Sequence, residues 1–178
     1  NAEYTKNLMD VCEGKKISFG IPLHSDILEI HDDITQRKGS FAQTIRGLYN
    51  LSLYNVPIEL RIVAQKANIE RLGEMVLFIG RYLTFVNHIS IMQMEPEGFA
   101  REHWNDFWVD PVDYQKAISD AVKNAKRIGI PIRLFNYQLC VLPYEVRDYA
   151  CQSISDWKNI YQKGCLMCPR KFDCAGFF

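Results

Sequence analysis

Apolar positions along this chain follow two alternating rhythms, one of period two and one of period near 3.6. Residues 4–13 put Leu8, Met9 and Cys12 on one side of a short helix that Gly14 stops. Residues 16–23 then read as a strand, closed by the polar cluster His24-Ser25-Asp26. Gly39-Ser40 opens a helix with Ser40 as N-cap and Phe41, Ile45 and Leu48 as its stripe, running to about residue 55. A strand over 57–64 is followed by a helix over 69–83, which Asn68 is placed to cap and where Leu72, Met75, Val76 and Ile79 recur at helical spacing. The next strand covers 86–94, with a turn at 95–100. Residues 101–109, with Trp104, Phe107 and Trp108, form an aromatic insertion suited to packing or to a lid. Asp110-Pro111-Val112-Asp113 starts a helix, with Asp as cap and Pro at the first helical position; it continues to Arg127 and stops at Gly129. Residues 130–135 give the last strand. Residues 136–142 lead through Cys140 into a helical turn near 143–149, and another short turn covers 155–158.

Strand and helix thus alternate four times, the pattern of a parallel sheet with right-handed crossovers. A closed eight-fold barrel takes about 250 residues, so four units amount to about half of one. The expected fold is α/β, with residues 3–136 as about half of a (β/α) partial TIM barrel and 137–178 as a small Cys-rich metal-binding module. Half a barrel leaves open edges, so a partner for the edge, or a homodimer through it, is expected. The chain opens on Asn1-Ala2 without Met, a pair that reads as the remnant of a cleaved purification tag.

Composition narrows the classes. With 48% hydrophobic and 12% aromatic residues in 178, the chain has ample core for one domain and a small appendage. Lys plus Arg equals Asp plus Glu at 21 each, and no basic run is interleaved with aromatics, which argues against nucleic acid. No apolar stretch approaches the ~20 residues that span a bilayer, and no secretory h-region is visible, so the expected location is the cytoplasm.

The densest chemistry lies in the tail. Cys165, Cys168 and Cys174 form a C-x2-C-x5-C pattern, and one turn of backbone can aim the first pair at a single metal. Cys140, Cys151 and Cys12 are the candidates for a fourth ligand; Cys12 reads as a packed helix residue. Gly176 lets the chain pass close to whatever is bound. Arg170 and Lys171 would offset the charge of a four-thiolate site, which suits zinc and an iron–sulfur cluster equally. A disulfide framework or unliganded buried thiols fit less well, because the cysteines concentrate at one end of a chain of ordinary size.

In parallel α/β architectures ligands bind at the carboxyl ends of strands. Those ends carry His24 and Ser25, Gln65 and Asn68, Gln93 and Glu95, and Asn136 and Gln138. Each also reads as a turn residue or helix cap, and capping alone explains Asn68. Arg61 lies between apolar neighbours on a strand; a buried guanidinium needs an acceptor, and a carboxylate would suit it. The adjacent residues His31-Asp32-Asp33 do not share a helix face, which weighs against a metal there. There is no nucleophile–His–acid trio and no Gly-rich phosphate loop.

Phe19-Gly20-Ile21-Pro22-Leu23-His24-Ser25, His31-Asp32, Gly39-Ser40-Phe41, the strand with Arg61, Asn68, and Glu95-Pro96-Glu97-Gly98-Phe99-Ala100 follow one another in an order that resembles the second half of a radical S-adenosylmethionine enzyme. The tail, Asn136-Tyr137-Gln138-Leu139-Cys140, residues 153–159 and Cys165…Cys168…Cys174-Ala175-Gly176-Phe177-Phe178, is similar to the maturases of the His-Xaa-Ser system, peptide-modifying enzymes with an auxiliary cluster domain. The resemblance implies a partial barrel that binds S-adenosylmethionine, with Ser25, Arg61 and Gln93 as contacts. It also implies an auxiliary [4Fe–4S] cluster held by Cys140, Cys165, Cys168 and Cys174, with Cys151, in a helical turn, in reserve. The family's CxxxCxxC, whose thiolates hold the cluster that cleaves S-adenosylmethionine, is absent from these residues. The chain alone is therefore expected to be inactive, as the part of a peptide-modifying enzyme that lacks the N-terminal half of its barrel. The competing expectation is a non-catalytic α/β interaction domain with a four-cysteine structural zinc site.

Overall fold

Five parallel strands in chain order carry the fold in the computed structural model, which describes residues 1–152 and 159–177. They are β1 (Phe19–Pro22), β2 (Ile58–Ala64), β3 (His88–Gln93), β4 (Ile132–Phe135) and β5 (Ala150–Cys151). The order β1-β2-β3-β4-β5 never reverses, so each new strand adds to the same side of the sheet. A doubly wound sheet has a point where the order turns back, and this sheet has none.

The helices are α1 (Ala2–Val11), α2 (Leu28–Thr35), α3 (Ser40–Ser52), α4 (Leu72–Tyr82), the short α5 (Phe99–Glu102) and α6 (Trp104–Phe107), and α7 (Gln115–Ile128). The three long connecting helices stand in a row. The Tyr49 hydroxyl of α3 donates to the Tyr82 carbonyl at the end of α4, 2.7 Å away. Asn124 of α7 donates to the Gly73 carbonyl of α4 at 3.1 Å. Under that row, Ile58, Leu60, Ile62 and Ala64 of β2, Ile89 and Ile91 of β3, and Ile132 and Leu134 of β4 are buried against Leu48, Met75, Val76, Ile79, Ile118, Ala121 and Ala125. This one-sided burial is the main source of apolar stabilisation, at ~25 cal/mol per Å² removed from water.

Parallel sheets are ordinarily covered on both faces. Here the opposite face carries Gly20 and Pro22, Glu59 and Arg61, His88 and Ser90, and Arg133, whose register places Pro22, Arg61, Ser90 and Arg133 in one row across four strands. Gly20, Pro22, Arg61 and Arg133 are exposed. The observed sheet is α/β and parallel as the alternation predicts.

Several local expectations are corrected. The segment after 143–149 is a fifth strand, so Cys151 pairs with Phe135 on β4 and does not lie in a helical turn. Ser40 is the first residue of α3 and not its cap. The Asp32 carboxylate of α2 does the capping, accepting from the Gly39 amide, the Phe41 amide at 2.8 Å and the Ser40 hydroxyl at 2.9 Å. Those bonds, led by the Phe41 amide, outweigh burial and hold the Asp32 carboxyl below the usual range. Asp110 caps as expected, but on a 3-10 turn over Pro111–Tyr114 that leads into α7, and the left-handed Gly129 stop of α7 follows the sequence reading. The turn expected over 155–158 lies outside the described residues.

Candidate functional site

The carboxyl ends of β1 to β4 gather most of the polar residues picked out in the sequence. Ser25, Asn68, Gln65, Gln93, Asn136 and Gln138 are all buried. Asn68 ties two strand ends together. Its Oδ1 accepts from the Gln65 amide at 2.9 Å, and its Nδ2 donates to the carbonyls of His24 at 2.9 Å and Val63 at 3.0 Å. It makes no helix-cap hydrogen bond, so the expected cap is corrected to a strand-end clamp. Asn136, in the left-handed region at φ 68°, donates to the Gln93 carbonyl at 3.3 Å and to Glu95 Oε1 at 2.8 Å, joining β4 to β3 in the same way.

The loop after β1 is packed around two histidines. His31 Nδ1 accepts from the His24 amide at 3.2 Å, which leaves the ring proton of neutral His31 on Nε2. His31 is buried with its ring edge on Phe41, and burial, with neighbouring His24, pulls its pKa down to about 4. Ser25 Oγ accepts from the Ile27 amide at 3.1 Å, which fixes the start of α2. Asp26 is bonded to Arg71 at the start of α4 by two guanidinium nitrogens.

The three expected cofactor contacts do not share one wall. Gln93 is opposite Ala64, on the face that packs under the helices, and its Oε1 is buried without a hydrogen-bond partner. Arg61 is on the open face, half exposed, so the expected buried guanidinium is corrected to a surface one. Its acceptor is Glu59 at 3.0 Å; Glu59 Oε1 also takes the Ser90 hydroxyl at 2.6 Å and stands 3.7 Å from His88 Nε2. A carboxylate does partner Arg61, two residues away on its own strand. A Cβ at Gly20 would lie 2.7 Å from Arg61 Cζ, so that glycine makes room for the guanidinium to lie across β1.

A cleft of about 700 Å³ opens beside the carboxyl edge, between Ile34 and Gln36 on one side, Gln65 and Met94 at the strand ends, and Phe99 and Phe107 of the aromatic insertion. The insertion is latched to the end of β2: the Lys66 amide donates to the Phe107 carbonyl at 2.9 Å, and the Lys66 ammonium donates to the Asn105 carbonyl. The sequence marked the aromatic residues but not the Lys66 latch, whose two acceptors are backbone carbonyls.

The tail folds back onto the segment after β4. All six cysteines are free thiols. Cys174 Sγ accepts from the Leu139 amide and from the Gly176 amide, both at 3.4 Å, which puts it beside the residue preceding Cys140. Tyr161 donates to the Cys174 carbonyl at 2.9 Å, and Gln152 donates to the carbonyls of Phe172 at 2.6 Å and Cys174 at 3.2 Å. Burial, then the nearby Cys174 and Cys165, raise the Tyr161 phenol. Gly176 is required by its own backbone. Its φ is 74°, and a Cβ there would stand 2.6 Å from the Ile160 carbonyl oxygen, where Ile160 and Phe177 form an antiparallel bridge. Between them, turns link Gln162 to Cys165, Cys165 to Cys168 and Lys171 to Cys174. Among the described residues, no three Cys, His, Asp or Glu side chains are gathered closely enough to hold a metal ion. Cys140 and Cys168 are exposed, while Cys165 and Cys174 are half-buried. No described helix is long and apolar enough to cross a membrane.

No protein-family profile matches the chain. Over 173 residues it is 24% identical to the antilisterial bacteriocin subtilosin biosynthesis protein AlbA of Bacillus subtilis (strain 168), a match covering 92% of this chain and 36% of that protein. The chain thus spans little more than a third of the length of the curated relative it matches. The match supports the resemblance of this chain to the C-terminal part of a peptide-modifying radical S-adenosylmethionine enzyme.

Proposed function

We propose that this chain is the strand-end and tail portion of a radical S-adenosylmethionine enzyme that modifies a peptide. The observation that carries the reading is the likeness to a bacteriocin biosynthesis protein along 92% of the chain. The singly wound parallel sheet supports a partial barrel, because its open face is lined by Glu59, Arg61, His88, Ser90 and Arg133 and resembles the wall of a lumen. Closing that face and the free edge of β1 would fall to further barrel strands, with a second copy of this chain as the alternative partner.

In this reading the carboxyl edge takes S-adenosylmethionine, which supplies the radical chemistry when bound. Gln93 Oε1, buried and unpartnered, is the acceptor the site offers to a cofactor amine or hydroxyl. Ser25 and its amide-bonded turn fix the loop after β1, and Arg61 offers half of its guanidinium surface to a carboxylate from the open face. Asn68 ties the ends of β1 and β2 together and Asn136 those of β3 and β4, so that these groups keep their places when water is displaced.

The tail reading assigns Cys140, Cys165, Cys168 and Cys174 to an auxiliary [4Fe–4S] cluster. Its support is the chemistry of Cys174, a sulfur that already accepts two backbone amides, the kind of hydrogen bond that tunes cluster sulfurs. Cys151, tied into β5, is a poorer candidate than Cys140, which directly follows Leu139. A structural zinc site would use the same four thiols.

The test is metal and acid-labile sulfide content, with the visible spectrum, of protein purified without oxygen. Iron and sulfide in about equal amounts, lost in Cys165→Ala, are expected. Stoichiometric zinc with no iron would replace the cluster by a structural site. Neither metal would remove the ligand assignment altogether.

A further inference from the structure

The cleft beside the carboxyl edge holds two carboxylates with no cation to answer them. Asp33 stands on α2 and Asp106 on α6, so they come from two different walls. Among the described residues no hydrogen bond or ion pair engages the Asp33 side chain, and Asp106 has only the His103 ring, 3.4 Å from its carboxylate. One cation, Lys66, lines the cleft, and its ammonium donates to the Asn105 carbonyl as part of the latch on the aromatic insertion. Arg37 and Lys38 follow Gln36 in the chain but do not line the cleft.

The rest of the lining is largely apolar. The rings of Phe99 and Phe107 stand 5.9 Å apart, Met94 is buried just past β3, and Ile34 lines the α2 side. Phe99 is 67% exposed, an aromatic surface left in water beside the two acids. A ligand matched to this lining has an apolar stem and a positive end. Lysine and arginine side chains have that form, since they lay their methylenes on apolar surface and keep the charged head wet. A cation near a Phe face is attracted by the ring as well. A carboxylate would meet two like charges, and a wholly apolar group would strip water from the acids and give nothing back. At about 700 Å³ the cleft is in the range that encloses whole small ligands, which leaves room for the residues on either side of such a side chain.

We infer that this cleft is the docking site for a basic side chain of the peptide, with its stem on Phe99, Phe107 and Met94 and its charge shared by Asp33 and Asp106. The inference rests on the peptide-modifying reading above and adds to it which residue class the chain selects and where. Docking makes and breaks no covalent bond.

Amide NMR of the whole chain tests it, with an acetylated and amidated pentapeptide that carries lysine between glycines as the probe. The lysine peptide should shift the amides of Asp33, Ala67 and Phe107, and added salt should weaken it. A norleucine peptide, which keeps the stem and loses the charge, should bind about 10-fold more weakly, and a glutamate peptide more weakly still. Asp33→Asn and Asp106→Asn should each cost the lysine peptide about 3–5-fold and leave the norleucine peptide unchanged, as for pairs partly in water. Neither carboxylate ties one element to another, so both variants should fold. Equal binding of the lysine and norleucine peptides overturns the inference and leaves the peptide-modifying reading standing, because that reading is judged by metal and sulfide content. Shifts outside the cleft, or none, overturn it as well. Displacement of the lysine peptide by S-adenosylmethionine, with shifts at the same amides, gives the cleft to the cofactor and also overturns it.

Discussion

Asn68 offers the sharpest test of how the candidate ligand edge is built. It is fully buried and makes three hydrogen bonds, all to backbone groups: the Gln65 amide, the His24 carbonyl and the Val63 carbonyl. An average net value of about 1 kcal/mol per bond gives ~3 kcal/mol for the set, and stranding the buried Gln65 amide adds to it. Asn68→Ala should therefore destabilise the chain by about 3–4 kcal/mol, a large part of the 5–15 kcal/mol a domain of this kind has in total. A helix-cap role would cost only ~1 kcal/mol on the same substitution. Ser and Asp separate the two explanations further, because both are good caps but neither carries the amide that reaches His24 and Val63. Urea unfolding followed by far-UV circular dichroism gives the midpoints at constant slope. All three variants should unfold at clearly lower urea, Asn68→Asp at least as low as Asn68→Ala, since its carboxylate would face two carbonyl oxygens. Near-original stability in Asn68→Ser or Asn68→Asp would refute the clamp and restore the cap.

Two more expectations follow from charge and burial. His31 is buried neutral with a folded pKa of about 4, below its unfolded value of 6.5, so the unfolded chain binds the extra proton first. Stability contributed by His31 should be intact above pH 6.5 and fall as pH drops from 6.5 toward 4; urea midpoints measured across that window should flatten in His31→Gln. Arg61→Met should shift the unfolding free energy by no more than about 1 kcal/mol, as for a surface pair, and not by the 3–5 kcal/mol of a broken buried one; a larger loss measured in urea would place Arg61 back in the interior.

The long-range order of the chain was legible because it depends on periodicity and punctuation. Ile58 to Ala64 alternate, Leu72 to Ile79 recur at helical spacing, Asp110-Pro111 opens the turn that leads into α7 and Gly129 ends it, so the four expected strands are placed to within a few residues. β5 could not be seen, since two residues, Ala150 and Cys151, owe their strand geometry to β4 and to no pattern of their own. Ser40 and Asn68 are misread for one shared reason. A short polar side chain next to a helix start is read locally, yet Asp32 caps the following helix from across a turn, and Asn68 reaches His24, 44 positions earlier. Arg61 was misjudged because a parallel strand between apolar neighbours is expected to be buried on both faces, and this sheet is buried on one. The likeness in the tail pointed to the cysteines, but the amide donors to Cys174 carry no side-chain signature at all.

The contact between Cys174 and Leu139 also sets an order of events during synthesis. Its two ends are 35 positions apart and enclose β5, so the sulfur can reach its amide only after β4 and β5 are in register. Cys165 and Cys168, three positions apart, leave the ribosome before Cys174 does. Docking of this tail is therefore timed by sheet assembly, and a chain arrested before β5 pairs should leave the Cys174 thiol open to alkylation.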